Sequence, residues 1–516
     1  MNLAALGIPT VRVPAPLPAL RGYVDATHLI MACRTARQQG ATLVALYGTD
    51  ERDRGRGFVL RVILRDDDGL AVLDHELAGA HWECPDLTPF FPAAGRMQRA
   101  VRDLLGIEWD GADQRPWLRH DAWSADAFPL RHDHDAAASA AVRPEEAPYG
   151  FVRVEGEGVH EIPVGPVHAG IIEPGHFHFQ VVGEKVLRLE ERLGYTHKGI
   201  EKRFESMSFA DGHRLAGRVS GDSTVAYAWA YAQAVEALCR VTPPARALAL
   251  RALCLERERI ANHLGDLGYL GNDGGFAFGL AQFSRLKEDV LRDNLRAFGH
   301  RLLMDVVAPG GVTHDLAPDI AHELRDHGTA LAAEIARLRE IYDEHAGLQD
   351  RFRACGIVTP ELAARLGVAG LAARASGRAQ DLRRDFPSPP YDTLEVAVPT
   401  SAEGDVAARV GVRFDELAVS LRLCESLLAA LPEGPVTIAC HAPQPYALGL
   451  GYVEGWRGPV LVALECDPDG TIRRCHPHDV SWHNWPALEH AVIGNIVPDF
   501  PLINKSFNLT YSGHDL

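Results

Sequence analysis

Apolar residues follow two rhythms along this chain. Phe58-Val59-Leu60-Arg61-Val62-Ile63-Leu64-Arg65 is nearly continuous, breaks at Asp66-Asp67-Asp68-Gly69, and resumes at Ala71-Val72-Leu73. Large and β-branched residues flanking an acidic, glycine-ended turn predict paired strands. Residues 97–105 then follow the spacing of a short amphipathic helix. A second region opens with short strands, expected at 151–154 and across 177–189 with a turn near Gly183. It then switches to helical periodicity at 224–239, 245–264, 282–306, 317–345 and 412–431. Pro243-Pro244 stops the first of these helices and Pro309-Gly310-Gly311 the third. In the second helix, Glu256, Arg257, Glu258 and Arg259 fall outside the leucine- and alanine-rich face. Strand patterns return at 436–440, 460–464 and 471–474. The pattern predicts an α+β chain: a small α/β domain, then a helical-bundle core with flanking short β-sheets.

The boundary falls in residues 131–148, where His132-Asp133-His134-Asp135, an alanine/serine run, Pro144 and Pro148 resist packing. The expected domains are therefore 1–130 and 149–516, joined by that linker. The chain has 516 residues, 47% of them hydrophobic and 23% charged, enough for more than one core. A formal net charge of −17 argues against nucleic-acid binding and against docking on anionic lipid. No signal peptide and no membrane-spanning run are expected. The nine cysteines (Cys33, Cys84, Cys239, Cys254, Cys355, Cys424, Cys440, Cys466 and Cys475) form no C-x-x-C pair. They read as reduced thiols, and neither an iron–sulfur cluster nor a structural zinc wholly within the chain is expected.

Several local signals have a plain reading. His132 and His134 belong to a solvated linker. Gly271-Asn272-Asp273-Gly274-Gly275 follows a helix and reads as a helix–helix loop, not a phosphate cradle. Cys475-His476-Pro477-His478 reads as a strand-end loop in preference to a metal site.

A set of collinear motifs carries more. Gly194-Tyr195-Thr196-His197-Lys198-Gly199-Ile200-Glu201-Lys202 is similar to the H-[RK]-G-x-E-K signature of NuoD (49-kDa-type) subunits of respiratory complex I and of group 4 nickel–iron hydrogenase large subunits. The runs 162–168 and 173–177, including Glu173-Pro174-Gly175-His176, resemble the group 4 form of the N-terminal loop. Glu256, Arg259, Asn262 and His263 resemble the E-x-x-R-x-x-N-H helix. Ala375-Ser376-Gly377, Asp381-Leu382-Arg383 and Asn484-Trp485-Pro486-Ala487-Leu488 resemble later segments. Residues 97–107 with Phe128-Pro129-Leu130-Arg131 resemble the NuoC (30-kDa-type) subunit. The fold implied is a NuoC-like α/β domain followed by a hydrogenase large-subunit-like domain.

Within that frame, Arg218-Val219-Ser220-Gly221-Asp222-Ser223 stands where hydrogenases read R-V-C-G-x-C, and the C-terminal segment stands where they read D-P-C-x-x-C. All four cysteine positions are vacated, at Ser220, Ser223, Thr510 and Gly513. A soft metal centre needs thiolates, so no metal and no cofactor are expected on this chain. The precursor extension cleaved after nickel insertion is also expected to be missing beyond Leu516.

The resemblance implies a proton relay at Glu173 and His168, to which Asp222 adds a new carboxylate. It implies an acceptor cavity involving Phe209, Asp273 and Arg218, with quinone as the candidate acceptor. Ile172 and Phe209 replace the histidine and tyrosine of complex I. Expected partners are a NuoB-like iron–sulfur small subunit carrying the Fe–S cluster, a ferredoxin-like iron–sulfur subunit and antiporter-like membrane subunits. The expected location is the cytoplasmic side of the inner membrane, peripheral through those partners. The implied function is that of a metal-less large subunit in an ion-translocating oxidoreductase complex, not itself a hydrogen-evolving enzyme. The alternatives are a non-catalytic coupling scaffold, an ordinary NADH–quinone oxidoreductase subunit, and a hydrogenase with unusual ligands.

Overall fold

The computed structural model describes all residues except 1–2, 80, 121–122, 136, 138–148, 170–171, 206 and 442. Most of the expected linker, with Pro144 and Pro148, lies outside the described residues. His132 is exposed, and its backbone N–H donates to Asp50 at 3.0 Å.

The N-terminal region is a five-stranded sheet of β1 (Thr10–Arg12), β2 (Ala19–Val24), β3 (Thr42–Asp50), β4 (Phe58–Asp66) and β5 (Gly69–Leu77), in the order β1-β2-β5-β4-β3. The expected hairpin is β4–β5, and within this sheet β2–β5 is the parallel pair among antiparallel ones. Helices α1 (Ala26–Gln38) and α2 (Ala94–Leu105) pack on this sheet, and β6 (Glu83–Pro85) pairs with β7 (Glu108–Asp110).

The second region begins with a meander of β8 (Val159–Val164), β9 (His176–Val182) and β10 (Lys185–Arg192), turning at Gly183. Residues 151–154 are not a strand. The Val152 N–H donates to the Glu190 carboxylate at 2.9 Å, so side chains satisfy this backbone instead of a ladder. Five long helices follow: α3 (Thr224–Cys239), α4 (Ala245–Asp273), α5 (Ala277–Phe298), α6 (Pro318–Glu344) and α7 (Val406–Ala429). Helix α4 runs nine residues beyond the expected end because its glycines are packing positions. A Cβ on Gly268 would lie 3.2 Å from Phe283 Cβ. Helix α5 stops eight residues short of the expected end, where Gly299 takes a left-handed φ of 78° and closes it.

The last sheet is an antiparallel meander of β11 (Leu448–Glu454), β12 (Pro459–Cys466) and β13 (Ile472–His478), followed by helix α8 (Ser481–Ala491). The hydrophobic pattern misses β11 because Gly449 and Gly451 dilute it. They are there for close approach: a Cβ on Gly449 would meet Ala234 O at 2.6 Å, so α3 lies directly on this strand. Residues 436–440 form only an isolated bridge from Thr437 to Gly311. His476 and His478 lie inside β13, buried, and not in a strand-end loop. Among the described residues no helix is long and apolar enough to cross a membrane.

Candidate functional site

Glu256 to Arg259, outside the leucine- and alanine-rich face, are all four buried. Glu256 accepts from Arg383 at 2.9 and 3.0 Å, from Tyr391 at 2.6 Å and from Ser420 at 2.6 Å. Arg383 also binds Asp381, and Arg374 binds Glu416 at 2.6 Å and Glu454 at 2.9 Å. His263 Nε2 lies 2.7 Å from Glu416. The E-x-x-R-x-x-N-H, R-x-S-G and D-x-R motifs thus interlock into one buried lattice of ion pairs. The lattice has an output: Arg259 donates to the carbonyls of Glu454 (2.7 Å) and Gly455 (3.0 Å). This fixes the β11–β12 turn that carries Trp456 and Arg457.

Arg457 reaches from that turn to the single-turn helix Gly221–Ser223 before α3. Its guanidinium donates to Asp222 Oδ1 at 2.9 Å and Oδ2 at 2.5 Å, and to Ser223 Oγ at 3.3 Å. Its Nε donates to the Asn508 carbonyl and its plane lies 3.9 Å from the Trp456 ring centroid. The Asp222 carbonyl accepts from Asn262 at 2.8 Å and Trp456 at 2.9 Å. Surrounding protein pushes the Asp222 carboxyl up, but the side chain is 40% exposed. The bidentate guanidinium outweighs that push and holds it at about 2.

Behind this pair lie the positions that the motif comparison expects to be vacated. Ser220 Oγ donates to Asp222 at 2.7 Å and sits 3.0 Å from Thr510 Oγ1. Thr510 Oγ1 accepts from the Gly513 N–H at 3.0 Å and lies 3.5 Å from Ser512 Oγ. The Ser512 N–H donates to Glu173 at 3.2 Å. A polar track therefore runs Asp222–Ser220–Thr510–Ser512–Glu173. Ser220, Ser223 and Thr510 are each 3% exposed. Gly513 is filled as well as ligand-free: a Cβ there would lie 2.5 Å from Thr510 Cγ2 and 2.9 Å from Tyr227 Oη. Neutral hydroxyls and a crowded glycine do not fit a thiolate-bound metal. Among the described residues no group of three or more His, Cys, Asp or Glu is arranged to hold a metal ion.

The H-K-G-x-E-K signature clamps the C-terminal segment. Thr196 donates to Asp515 at 2.7 Å, and the Lys198 and Ile200 N–H groups donate to Leu516 O at 3.0 and 3.1 Å. Glu201 pairs with Arg474 at 2.6 Å and His476 at 2.7 Å.

The other expected site residues are dispersed. His168 turns its Nδ1 to Pro166 O at 3.1 Å, and its ring meets Phe177 edge-on. Arg218 is bound to Asp305 at 2.6 and 2.7 Å, and the arginine paired with Asp222 is Arg457 instead. Phe209 packs on the turn at Gly470, and its carbonyl accepts from Tyr231. Asp273 ends α4, its carboxyl pushed up by burial. Ile172 is 40% exposed.

Two participants escape the sequence pattern: Arg457 and Glu258. Glu258, 5% exposed, accepts from the Val225 N–H at 2.7 Å and the Ala226 N–H at 3.3 Å at the start of α3. Burial outweighs those hydrogen bonds and raises its carboxyl to about 8. The available signal is a run of four consecutive charged residues in the middle of a mostly buried helix. The structure also brings two of the scattered cysteines, Cys239 and Cys440, close enough for each thiol to shift the other's titration, Cys239 downward and Cys440 upward.

Comparison with known proteins places this geometry. The family described as "Respiratory-chain NADH dehydrogenase, 49 Kd subunit" matches residues 273–447, and "Respiratory-chain NADH dehydrogenase, 30 Kd subunit" matches 22–140. The two in one chain define the class: a fused large subunit of a complex I-like or hydrogenase-related complex. Formate hydrogenlyase subunit 5 of Escherichia coli (strain K12) is 31% identical over 485 residues, 93% of this chain and 85% of that one. Hydrogenase-4 component G of the same organism is 30% identical over 487 residues, 93% and 84% of the two chains. An NADH-quinone oxidoreductase subunit of Syntrophobacter fumaroxidans (strain DSM 10017 / MPOB) is 29% identical over 366 residues, 70% of this chain and 98% of that one. The chain belongs to the fused complex I/group 4 hydrogenase large-subunit family.

Proposed function

We propose that this chain is the metal-free large subunit of a membrane-associated oxidoreductase complex related to complex I and energy-converting hydrogenases. It holds no nickel; it shapes the cavity beside the terminal Fe–S cluster of a NuoB-like small subunit. There it delivers protons to an electron acceptor, of which quinone is the leading class, while antiporter-like membrane subunits and a ferredoxin-like subunit complete the complex. The complex sits on the cytoplasmic side of the inner membrane. The observation that carries this reading is the polar track from Glu173 through Ser512, Thr510 and Ser220 to Asp222, capped by Arg457. The hydroxyls of Ser220, Thr510 and Ser512 lead from Asp222 toward Glu173, which the Ser512 backbone N–H holds beside them; such groups are suited to passing protons between Asp222 and Ser512 and unsuited to binding a soft metal.

The test is photo-crosslinking of the purified membrane complex with a reactive quinone analogue and peptide mapping. Label near Glu173 or Ser220 that excess quinone displaces supports the reading. An intact, redox-active complex with no displaceable label removes quinone as acceptor.

A second reading, a non-catalytic coupling scaffold, is favoured by the close packing at Ser220, Thr510 and Gly513, where the side chains meet without a substrate-sized gap between them. In that case Ser220→Ala leaves turnover of the complex unchanged.

A further inference from the structure

At the level of α4 that also carries Glu258 and Asn262, but lined by Arg257 and Ile260 instead, a cleft of about 480 Å³ opens among α4, α5, α6 and α7. That volume falls inside the roughly 300–1,000 Å³ usual for small-molecule pockets. Ile260, Leu286, Val290, Leu324, Leu331 and Leu421 line its walls. Helix α6 covers it loosely: of its 27 residues only Leu324, Ile335, Leu338 and Tyr342 are buried.

At the base sits Arg257, its side chain 8% exposed. Nε donates to Asn294 at 2.5 Å and Nη2 to Val290 O at 3.2 Å, both neutral acceptors. The nearest carboxylate, Asp293, is 3.8 Å away, and His327 Nδ1 already lies 3.1 Å from each of its oxygens. The arginines at the mouth are paired at close range: Arg285 with Glu334 and Asp289, Arg292 with Glu288 at 3.0 Å, and Arg296 with Glu323 at 2.5 Å. Burial pulls the Arg257 guanidinium below its usual range, the sign of a cation without full compensation. A buried cation at the end of a cleft with apolar walls and a rim of mutually paired charges recognises an anion attached to an apolar body.

We propose that this cleft binds an anionic amphiphile, its acidic head on Arg257 and its acyl chain along the α5 and α6 walls. The site is independent of the acceptor reading above. It also stands apart from the overall charge of −17, which governs approach to a charged surface and not a single enclosed molecule.

The test is calorimetric titration of the full-length chain with monomeric oleate, methyl oleate and monooleoyl phosphate. Saturable one-to-one binding of oleate is expected, with methyl oleate weaker by about tenfold or more because the charge-assisted hydrogen bonds are lost. Arg257→Gln should remove that preference. Leu331→Trp, at the wall, should block oleate while leaving the circular-dichroism spectrum intact, which keeps the test decisive if Arg257→Gln fails to fold. Monooleoyl phosphate binding more tightly than oleate assigns the head to a lipid phosphate; the reverse assigns it to a free fatty carboxylate. No saturable binding, equal affinity for oleate and its methyl ester, or full binding by Leu331→Trp overturns the proposal.

Discussion

Two polar regions meet on α4, and they differ in how charge is handled. The lattice of Glu256, Arg383, Asp381, Arg374, Glu454 and Glu416 is densely paired: each buried acid has a guanidinium and each guanidinium more than one acceptor, with Arg374 Nη2 and the neighbouring Arg259 Nε left without a hydrogen-bond partner. The cluster of Ser220, Thr510 and Ser512 carries no charge of its own and has a single ion pair, Asp222–Arg457, at its mouth. Breaking a densely paired ionic lattice strands charge, whereas changing a hydroxyl strands only neutral hydrogen bonds. The frame therefore resists change, while the positions it presents can carry hydroxyls in place of metal ligands.

Removing one lattice guanidinium should give the largest effect. Arg374→Met leaves Glu416 and Glu454 short of a partner and should cost about 3–5 kcal/mol in urea unfolding. A loss below about 1 kcal/mol would mean that the lattice does not hold the core. Glu258 comes next, lying between the two regions. Its folded value of about 8 stands above its ordinary value of 4.5. Its contribution is therefore complete below about 4.5 and is lost as pH rises through about 8. Glu258→Gln should flatten a fall in stability on the order of 2–4 kcal/mol across that window. Equal pH slopes for the two proteins would contradict the assignment.

Smaller effects are expected at the vacated positions. Gly513→Cys should cost about 1–3 kcal/mol, because its Cβ meets Thr510 Cγ2. Adding Thr510→Ser, which deletes that methyl, should restore part of the loss; strict additivity would show that the two positions are not packed together. The smallest change is Asp222→Asn, about 1 kcal/mol or less, since this pair is partly exposed. Its folded value is lowered from 3.8 to about 2, so its contribution is present above 3.8 and fades only as pH falls through about 2. Unfolding between pH 5 and 8 should reveal no midpoint from this residue.

The sequence makes some of this legible and hides the rest for physical reasons. Helix α3 is marked by its own periodicity and a proline stop, and its expected bounds, 224–239, are those observed. Strand β11 is hidden because the glycines that let α3 approach remove the strand signal. The hydroxyl positions are visible because they interrupt a motif frame. Arg457 is not, because its partner Asp222 lies 235 positions away and only the folded turn joins them. Arg218, adjacent in sequence to the cluster, is committed to Asp305 instead. Proximity along the chain points to the wrong arginine.

On the function proposed above, this family member retains the frame and has given up the metal. Nickel and iron should be quantified in the intact complex, purified from its native membrane, per copy of this chain. The expected result is no stoichiometric nickel, with all iron accounted for by partner iron–sulfur clusters. One nickel per chain, lost on denaturation of this subunit, would contradict it.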